Sequence, residues 1–564
     1  MTTVKPMPPH TKPRPLKMRR LIDRWSLGAF LLVGLIECLQ CLKALGLRAR
    51  INGWRKVTGI FMREEHSKFT LASFRLNYLG ANRPPDNPES AKAILIEHLA
   101  EFIRRNPEFR WRMEWGFFLT RRKKSSLADI VEAEFSGEGE LLRIVPHFDA
   151  TAGTSPLLGG DILAGVLAGL VAAYNETKGV EGRHRAQGIY RRLRRWAHRS
   201  PGLSRKEHAE LRHVITRLMN ASFIQFQTLG GDREQITQDR MSTQDMRLCG
   251  HPGFGLLNIV CRFTADLAEA DLWCQYHHVL VDGVPMQEML GKLKQEWGEV
   301  GPVRYPATSG STKRTELVLC TKDIYRAQLF VDFERFLTLR RCLNDRYGRE
   351  MGGPATVASM LMWSLAQHSY FQDKKFLFPV DTALEGDRPE ERSISFVCML
   401  PSKFFDPQDP WAGFLRYQRE FNQRVHATRL GKSESYALFE TYAIMHPIFY
   451  HLIRRLMPTV LGEFVGTAGL TILKDAEMFV GPMSDLHFDG FVSVGNMTMP
   501  TQDGRTAGAV SICGTREQID QYVEAFSDLA AHVPDVLPRG QYIPEPGSGT
   551  FAGKIPDRRE AQAP

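Results

Sequence analysis

Apolar and polar positions change period along this chain, and the changes mark its elements. Phe69 to Tyr78 alternates, as a strand with one buried face does. Asn82-Arg83-Pro84-Pro85-Asp86-Asn87-Pro88 then breaks the chain. Leu95, Leu99, Phe102 and Ile103 recur at helical spacing, up to Arg104-Arg105-Asn106-Pro107. Leu256 to Thr264 and Leu272 to Tyr276 read as paired strands. Beyond them Met286, Met289, Leu290, Leu293 and Trp297 return to the helical period, with Pro285 near the first turn, where it is tolerated.

The second half repeats this alternation of types. Phe333, Phe336, Leu337 and Arg340 share a helix that stops near Gly348. Pro354-Ala355-Thr356 opens another, carrying Ala358, Leu361, Met362 and Leu365. Strands are expected at Phe376 to Asp381 and Ser393 to Leu400, with Asp387-Arg388 between them. Ala507 to Cys513 reads as a closing strand. Thr515-Arg516-Glu517-Gln518 is a capping box for a last helix with Ile519, Tyr522, Val523 and Phe526. Strands and helices mixed this way predict an α/β protein.

Two stretches stand apart. Residues 1–25 are rich in Pro, Lys and Arg and lead into Ser26 to Leu42, whose single charge is Glu37. Seventeen residues is the short limit for a span. Basic residues flank it on both sides, so no orientation is set. An interfacial anchor, a helix packed into the body and a true span or signal all fit. The second stretch runs from about 150 to 240. It holds apolar Ile162 to Tyr174, then a basic run from Arg183 to Arg199 with Ile189, Leu193 and Trp196 at helical spacing. This is either a membrane-surface element or a solvated helix packing one thin stripe. No nucleic-acid-binding signature accompanies the charge.

With 564 residues, 43% of them hydrophobic, the chain can fill two or three lobes. A formal net charge of +10 suits a phosphorylated co-substrate, an anionic carrier protein or an anionic membrane face. Nine cysteines, at 38, 41, 249, 261, 274, 320, 342, 398 and 513, show neither zinc spacing nor a disulfide framework, so a reducing compartment and no metal are expected.

The chemistry concentrates at Tyr276-His277-His278-Val279-Leu280-Val281-Asp282-Gly283. Two histidines, three apolar residues and Asp-Gly stand where a strand gives way to a helix. Such a junction holds a polar side chain firmly while leaving it open to substrate. A histidine can accept a proton from a hydroxyl, amine or thiol near neutral pH. Gly283 lets the backbone turn closely. The bland alternative is a hydrogen-bonded pair of histidines at a strand end.

This HHxxxDG pattern resembles that of the thioester-dependent acyltransferase superfamily. That group holds chloramphenicol acetyltransferase, the dihydrolipoyl acyltransferase core, peptide-synthetase condensation domains and the wax ester synthase/diacylglycerol acyltransferases. The resemblance covers roughly residues 65–150 and 250–540. It implies two α/β lobes of mixed sheet and helices, with an active-site tunnel between them. It also implies His278 as general base, Asp282 as a structural residue paired with an arginine, and His277 and Gly283 as shapers of the loop. The family's usual Asn near the second of the paired strands is replaced by nearby Ser395, so Arg388 is left without a clear counterpart role. Ser493, Asn496 and Thr498 are candidates to stabilise an oxyanion.

The expected organisation is a basic arm with an apolar, membrane-associated helix over 1–64 and an N-terminal lobe over 65–300, with an insert at about 150–240. A crossing segment over 301–315, a C-terminal lobe over 316–543 and a flexible tail over 544–564 complete it. The resemblance implies transfer of an acyl group from a CoA or carrier thioester to a hydroxyl or amine. The apolar helix and basic insert lean towards a lipid or long-chain alcohol acceptor. No cofactor is expected to be held permanently: acyl-CoA, or an acyl-phosphopantetheine carrier, would be a co-substrate. Expected partners are therefore donor, acceptor, an acyl carrier protein and an anionic membrane surface on the cytoplasmic side. A standalone condensation-type enzyme, with no carrier or lipoyl domain attached, is the alternative. A non-catalytic carrier- or membrane-binding scaffold is the alternative of another class.

Overall fold

The computed structural model describes residues 68–77, 86–115, 120–124, 128–136, 140–148, 160–176, 192–193, 195, 203–228, 257–263, 267, 269–277, 283–297, 313–314, 318–321, 324–381, 394–433, 468–473, 490–527 and 529. The arm and apolar segment at 1–64 and the tail at 544–564 lie outside them, as does most of the crossing segment. Among the described residues no helix is long and apolar enough to cross a membrane.

The first half builds a six-stranded sheet. Its strands are β1 (Lys68–Asn77), β4 (Ile130–Phe135), β5 (Leu141–Pro146), β6 (Ser222–Thr228), β7 (Leu257–Phe263) and β8 (Glu269–His277), in the order β1-β8-β7-β6-β4-β5. Between β1 and β4 the strands β2 (Trp111–Trp115) and β3 (Thr120–Lys124) form a ribbon of their own. β6 runs parallel to both β4 and β7, and the remaining pairs are antiparallel.

Helices cover both faces of this sheet. α1 (Pro88–Arg105) begins at Asn87, whose side chain accepts from the Ser90 amide at 2.9 Å, and ends on Arg104 and Arg105. Its face of Leu95, Leu99, Phe102 and Ile103, read from the sequence, is buried. These residues meet Ile224, Ile259 and Cys274 of the sheet and Met286, Met289 and Leu293 of α4 (Gly283–Trp297). The other face carries Val131, Ala133 and Phe223 against α2 (Gly160–Glu176) and α3 (Arg205–Met219). α3 starts with a capping box between Ser204 and Glu207.

Within the stretch expected as an insert, residues 160–176 and 203–228 build into the lobe. β6 lies inside the sheet between β7 and β4, and α3 packs upon it. The sequence hid this strand because it is covered on both faces: Phe223 enters one cluster and Ile224 the other. At one residue the basic run fits the second of its two readings, a solvated helix packing a thin stripe. Leu193 is 2% exposed and packs with α2, where Gly169 leaves space for it, and Arg192 pairs with Glu176. At Leu193 the apolar stripe faces the protein's own core; Ile189 and Trp196 lie outside the described residues.

The second half builds a nine-stranded sheet from β9 (Lys313–Arg314), β10 (Val318–Thr321), β11 (Ile324–Val331), β12 (Phe376–Asp381), β13 (Ile394–Met399), β14 (Ala468–Ile472), β15 (Phe491–Val494), β16 (Met499–Pro500) and β17 (Thr506–Gly514). The main path is β10-β11-β17-β15-β14-β12-β13, with β16 on β17 and β9 on β11. Lys313 and Arg314, expected in the crossing segment, therefore already belong to this sheet. One cluster joins it to α5 (Glu334–Tyr347), α6 (Val357–Leu365), α7 (Pro410–Arg429) and α8 (Arg516–Ser527). α8 opens on the expected box: Thr515 Oγ1 accepts from the Gln518 amide at 3.2 Å, and Gln518 Oε1 from the Thr515 amide at 2.9 Å. Leu473, just past β14, is buried in the first half's cluster and so ties the two halves together.

Candidate acyl-transfer site

The motif occupies the junction that its flanks predict. β8 ends at His277, which pairs with Lys68 of β1, and α4 begins at Gly283. His278 to Asp282 make the connection and lie outside the described residues. Both flanks are held. Tyr276 pairs with Leu257, and Met286, Met289 and Leu293 fix α4 in the core. Lys292 of α4 also bonds Glu108, in the short helical turn Pro107–Arg110.

Strand direction shows what shares this end of the sheet. β8 is antiparallel to β7, while β7, β6 and β4 run parallel, so β8 finishes where those three begin. There the Asp129 carbonyl accepts from the Ser222 amide at 2.9 Å, and the Ile130 carbonyl from the His147 amide at 3.0 Å. Arg217, at the end of α3, donates through Nε and Nη2 to the two Asp129 carboxylate oxygens, each at 2.9 Å. The Phe148 ring lies 4.6 Å from the guanidinium carbon. His147 Nε2 lies 3.0 Å from Glu132 Oε2, and Lys92 Nζ lies 3.5 Å from the other oxygen. The His147 hydrogen bond, aided by the Lys92 charge, holds the Glu132 carboxyl below its ordinary range against the effect of burial.

Sequence reasoning missed these groups. Their only trace was Pro146-His147-Phe148-Asp149, a loose echo of the motif with different spacing. Asp129 and Arg217 are 88 residues apart and carry no common pattern.

In the second half the oxyanion candidates do not gather in one place. Ser493 lies in β15, opposite Thr471 of β14 and Ser511 of β17, and Ser511 lies opposite Gln328 of β11. Val492, Val494, Val510, Ile512, Ala327 and Leu329 alternate with these residues and point into the helix-side core. Ser493, Ser511 and Gln328 therefore form a polar row on the opposite face, all three buried. Ser493 is 1% exposed, and its Oγ meets no hydrogen-bond partner among the described residues. Asn496 and Thr498 sit in the following turn, where the Asn496 carbonyl oxygen Oδ1 accepts from the Thr498 amide at 2.9 Å and from its hydroxyl at 2.8 Å. Thr498 is exposed. Ser395, opposite Val380, is on the helix side with Val397 and is fully buried. Arg388 lies outside the described residues.

Among the described residues no three His, Cys, Asp or Glu side chains stand together as a metal site would require. Cys342 and Cys398 are unbridged. Burial pushes the Cys398 thiol up to about 11, which makes it a poor nucleophile.

No protein-family model and no curated protein sequence matches this chain. Solved structures similar to it include the TRI3 trichothecene 15-O-acetyltransferase of Fusarium sporotrichioides, at 10% identity and a TM-score of 0.41 over 85% of this chain and 94% of that one. The first condensation domain of the CDA synthetase is similar at 12% identity and a TM-score of 0.39, over 84% and 94%. The SgcC5 protein of Streptomyces globisporus is similar at 12% identity and 0.37, over 83% and 92%. In its motif and in the helix, helix, strand, strand order of its second half, this chain resembles the HHxxxDG acyltransferase superfamily.

Proposed function

We propose that this protein is an acyltransferase that moves an acyl group from a CoA or carrier thioester to a hydroxyl acceptor, a lipid or long-chain alcohol. The observation that carries this reading is the motif itself, set between the end of β8 and the start of α4. His278 takes the proton as the acceptor oxygen attacks the thioester carbonyl. The tetrahedral intermediate collapses with loss of the thiolate, which recovers the proton from His278. General-base help of this kind contributes about 10²–10⁴ in rate. Direct attack needs no enzyme nucleophile and no resident cofactor.

Asp282 is read as holding the loop through an arginine, with His277 and Gly283 shaping it. Ser493 is the favoured oxyanion donor, because its buried hydroxyl is still uncommitted among the described residues. Asn496 and Thr498 satisfy each other and are weaker choices. The reading places the reaction in a tunnel between an N-terminal lobe over 65–300 and a C-terminal lobe over 316–543, on the cytoplasmic side.

Thiol release from assorted acyl-CoAs, with and without alcohol and amine acceptors, tests the proposal. Acceptor-dependent release by the wild type, reduced at least about 10²-fold in folded His278→Ala, is expected. Equal rates in the two proteins would overturn the role of His278. Release with amines alone would turn the reading to a condensation-type reaction.

A further inference from the structure

β5 is the last strand of the first sheet, and among the described residues it pairs on one side only, with β4. Four of its six residues, Leu141, Leu142, Ile144 and Val145, are large and apolar. An outer strand of that kind offers its free amides and carbonyls to any strand that meets it.

One side chain takes the first of those places. Asn175, in the last turn of α2, accepts from the Leu141 amide through Oδ1 at 2.9 Å and donates through Nδ2 to the Leu141 carbonyl at 3.0 Å. A residue of a neighbouring strand would make the same two bonds. Only a side-chain amide brings the donor and the acceptor together in this way. Asn175 is partly buried, and the end of α2 that carries it is held. The Tyr174 ring meets the Phe135 ring of β4 edge-on at 5.6 Å, and Arg192 pairs with Glu176.

The rest of the edge is short. Glu134 lies opposite Arg143 and Phe135 opposite Leu141, so Leu142 is left over as the extra residue of a bulge. It is 55% exposed. At the far end the His147 amide bonds to the Ile130 carbonyl. Alternation from there turns Ile144 and Pro146 outward, and Pro146 has no amide to give. With Leu141 engaged, Ile144 is the one outward residue of β5 that offers both of its backbone groups.

We propose that Asn175 locks this edge against a second copy of the chain. Without it, Leu141 and Ile144 both offer an amide and a carbonyl, and β5 of one copy pairs antiparallel with β5 of another, covering Leu142. A second copy is the occupant the edge fits: a two-fold joint sets the same apolar strand against itself, uses one edge from each copy and then closes. This lock is independent of the acyl-transfer reading, and its test needs no activity.

The test is sedimentation velocity of the full chain over a range of concentrations, for wild type, Asn175→Ala and Asn175→Ala with Leu142→Lys. Circular dichroism and melting establish that each is folded. Asn175→Ser, too short to hold both bonds, replaces the alanine variant if that one does not fold, and carries the same expectation. Several new backbone bonds should make Asn175→Ala associate at least about tenfold more tightly than wild type. A lysine at 142 should return it to the wild-type value, because a charge on an outer strand opposes pairing. Hydrogen exchange reports locally: β5 amides should exchange faster in dilute Asn175→Ala than in wild type and regain protection as concentration rises. Association equal to wild type, association that Leu142→Lys leaves unchanged, or β5 exchange that does not depend on concentration would each overturn the proposal.

Discussion

Arg217 and Asp129 meet side on, two nitrogens to two oxygens at 2.9 Å, with side-chain exposures of only 7% and 10%. The pair joins the end of α3 to the residue before β4, and the Asp129 carbonyl meanwhile holds the first amide of β6. It therefore locks the crossover between two parallel strands at the sheet end where β8 finishes. Removing one partner leaves a buried charge without its counter-ion. Arg217→Met is expected to cost about 3–5 kcal/mol, whereas Arg217→Met with Asp129→Leu should recover much of the loss. Urea unfolding of both variants decides this. Equal losses in the single and double variants would show that packing, not charge, holds the crossover.

A neighbouring group gives the protein a pH dependence. The Glu132 carboxyl is held below its ordinary value of 4.5 first by the His147 hydrogen bond. A carboxyl with a lowered folded value stabilises the fold fully above the ordinary value, and loses that effect as pH falls through the folded value. Glu132→Gln should therefore be less stable than wild type near neutrality, by about 1 kcal/mol or less for an incompletely buried pair. The difference should shrink as pH drops below 4.5. Melting curves at several pH values measure it; a constant difference would mean that ionisation of Glu132 does not matter.

Gly508 supplies a third test, one of close packing. In β17 a Cβ at this position would come within 2.8 Å of Phe333 Cδ2 and 2.9 Å of the Met497 Cα. The Met497 backbone follows β15, and Phe333 is fully buried, so neither moves freely. Gly508→Ala should destabilise by about 1–3 kcal/mol. A melting temperature equal to wild type would mean that the turn after β15 yields.

What the sequence disclosed follows from how each element is buried. α1 and α8 have one wet face and one dry face, so their periods were legible: Leu95, Leu99, Phe102, Ile103, Ile519, Tyr522 and Phe526 are buried as expected, while Val523 is only partly covered. The strand to helix junction at His277 and Gly283 was legible for the same reason. β6 escaped because it is covered on both faces, with Phe223 in one cluster and Ile224 in the other, and its buried Gln225 and Ser222 break any apolar period. Arg217, Asp129, Glu132 and His147 escaped because a pairing between distant residues has no period at all. Among the oxyanion candidates, sequence could not separate Ser493 from Asn496 and Thr498. Only the ladder partners reveal that one is a buried row residue while the other two close a turn.

Ser493→Ala separates chemistry from architecture. Its Oγ is buried without a hydrogen-bond partner among the described residues, beside Ser511 and Thr471 in the ladder. Removing an unsatisfied buried hydroxyl returns its desolvation cost, so the variant should be as stable as wild type or slightly more so. If Ser493 donates to the oxyanion, the same change should lower kcat by about 10²–10³ with KM little altered, because that hydrogen bond forms fully only in the transition state. Ser493→Thr, which keeps the hydroxyl, should retain more activity than Ser493→Ala if it folds. Stability and steady-state kinetics on the same preparations give the answer. Unchanged kcat in a stable Ser493→Ala would remove Ser493 from the mechanism and leave the hydroxyl row as part of the sheet alone.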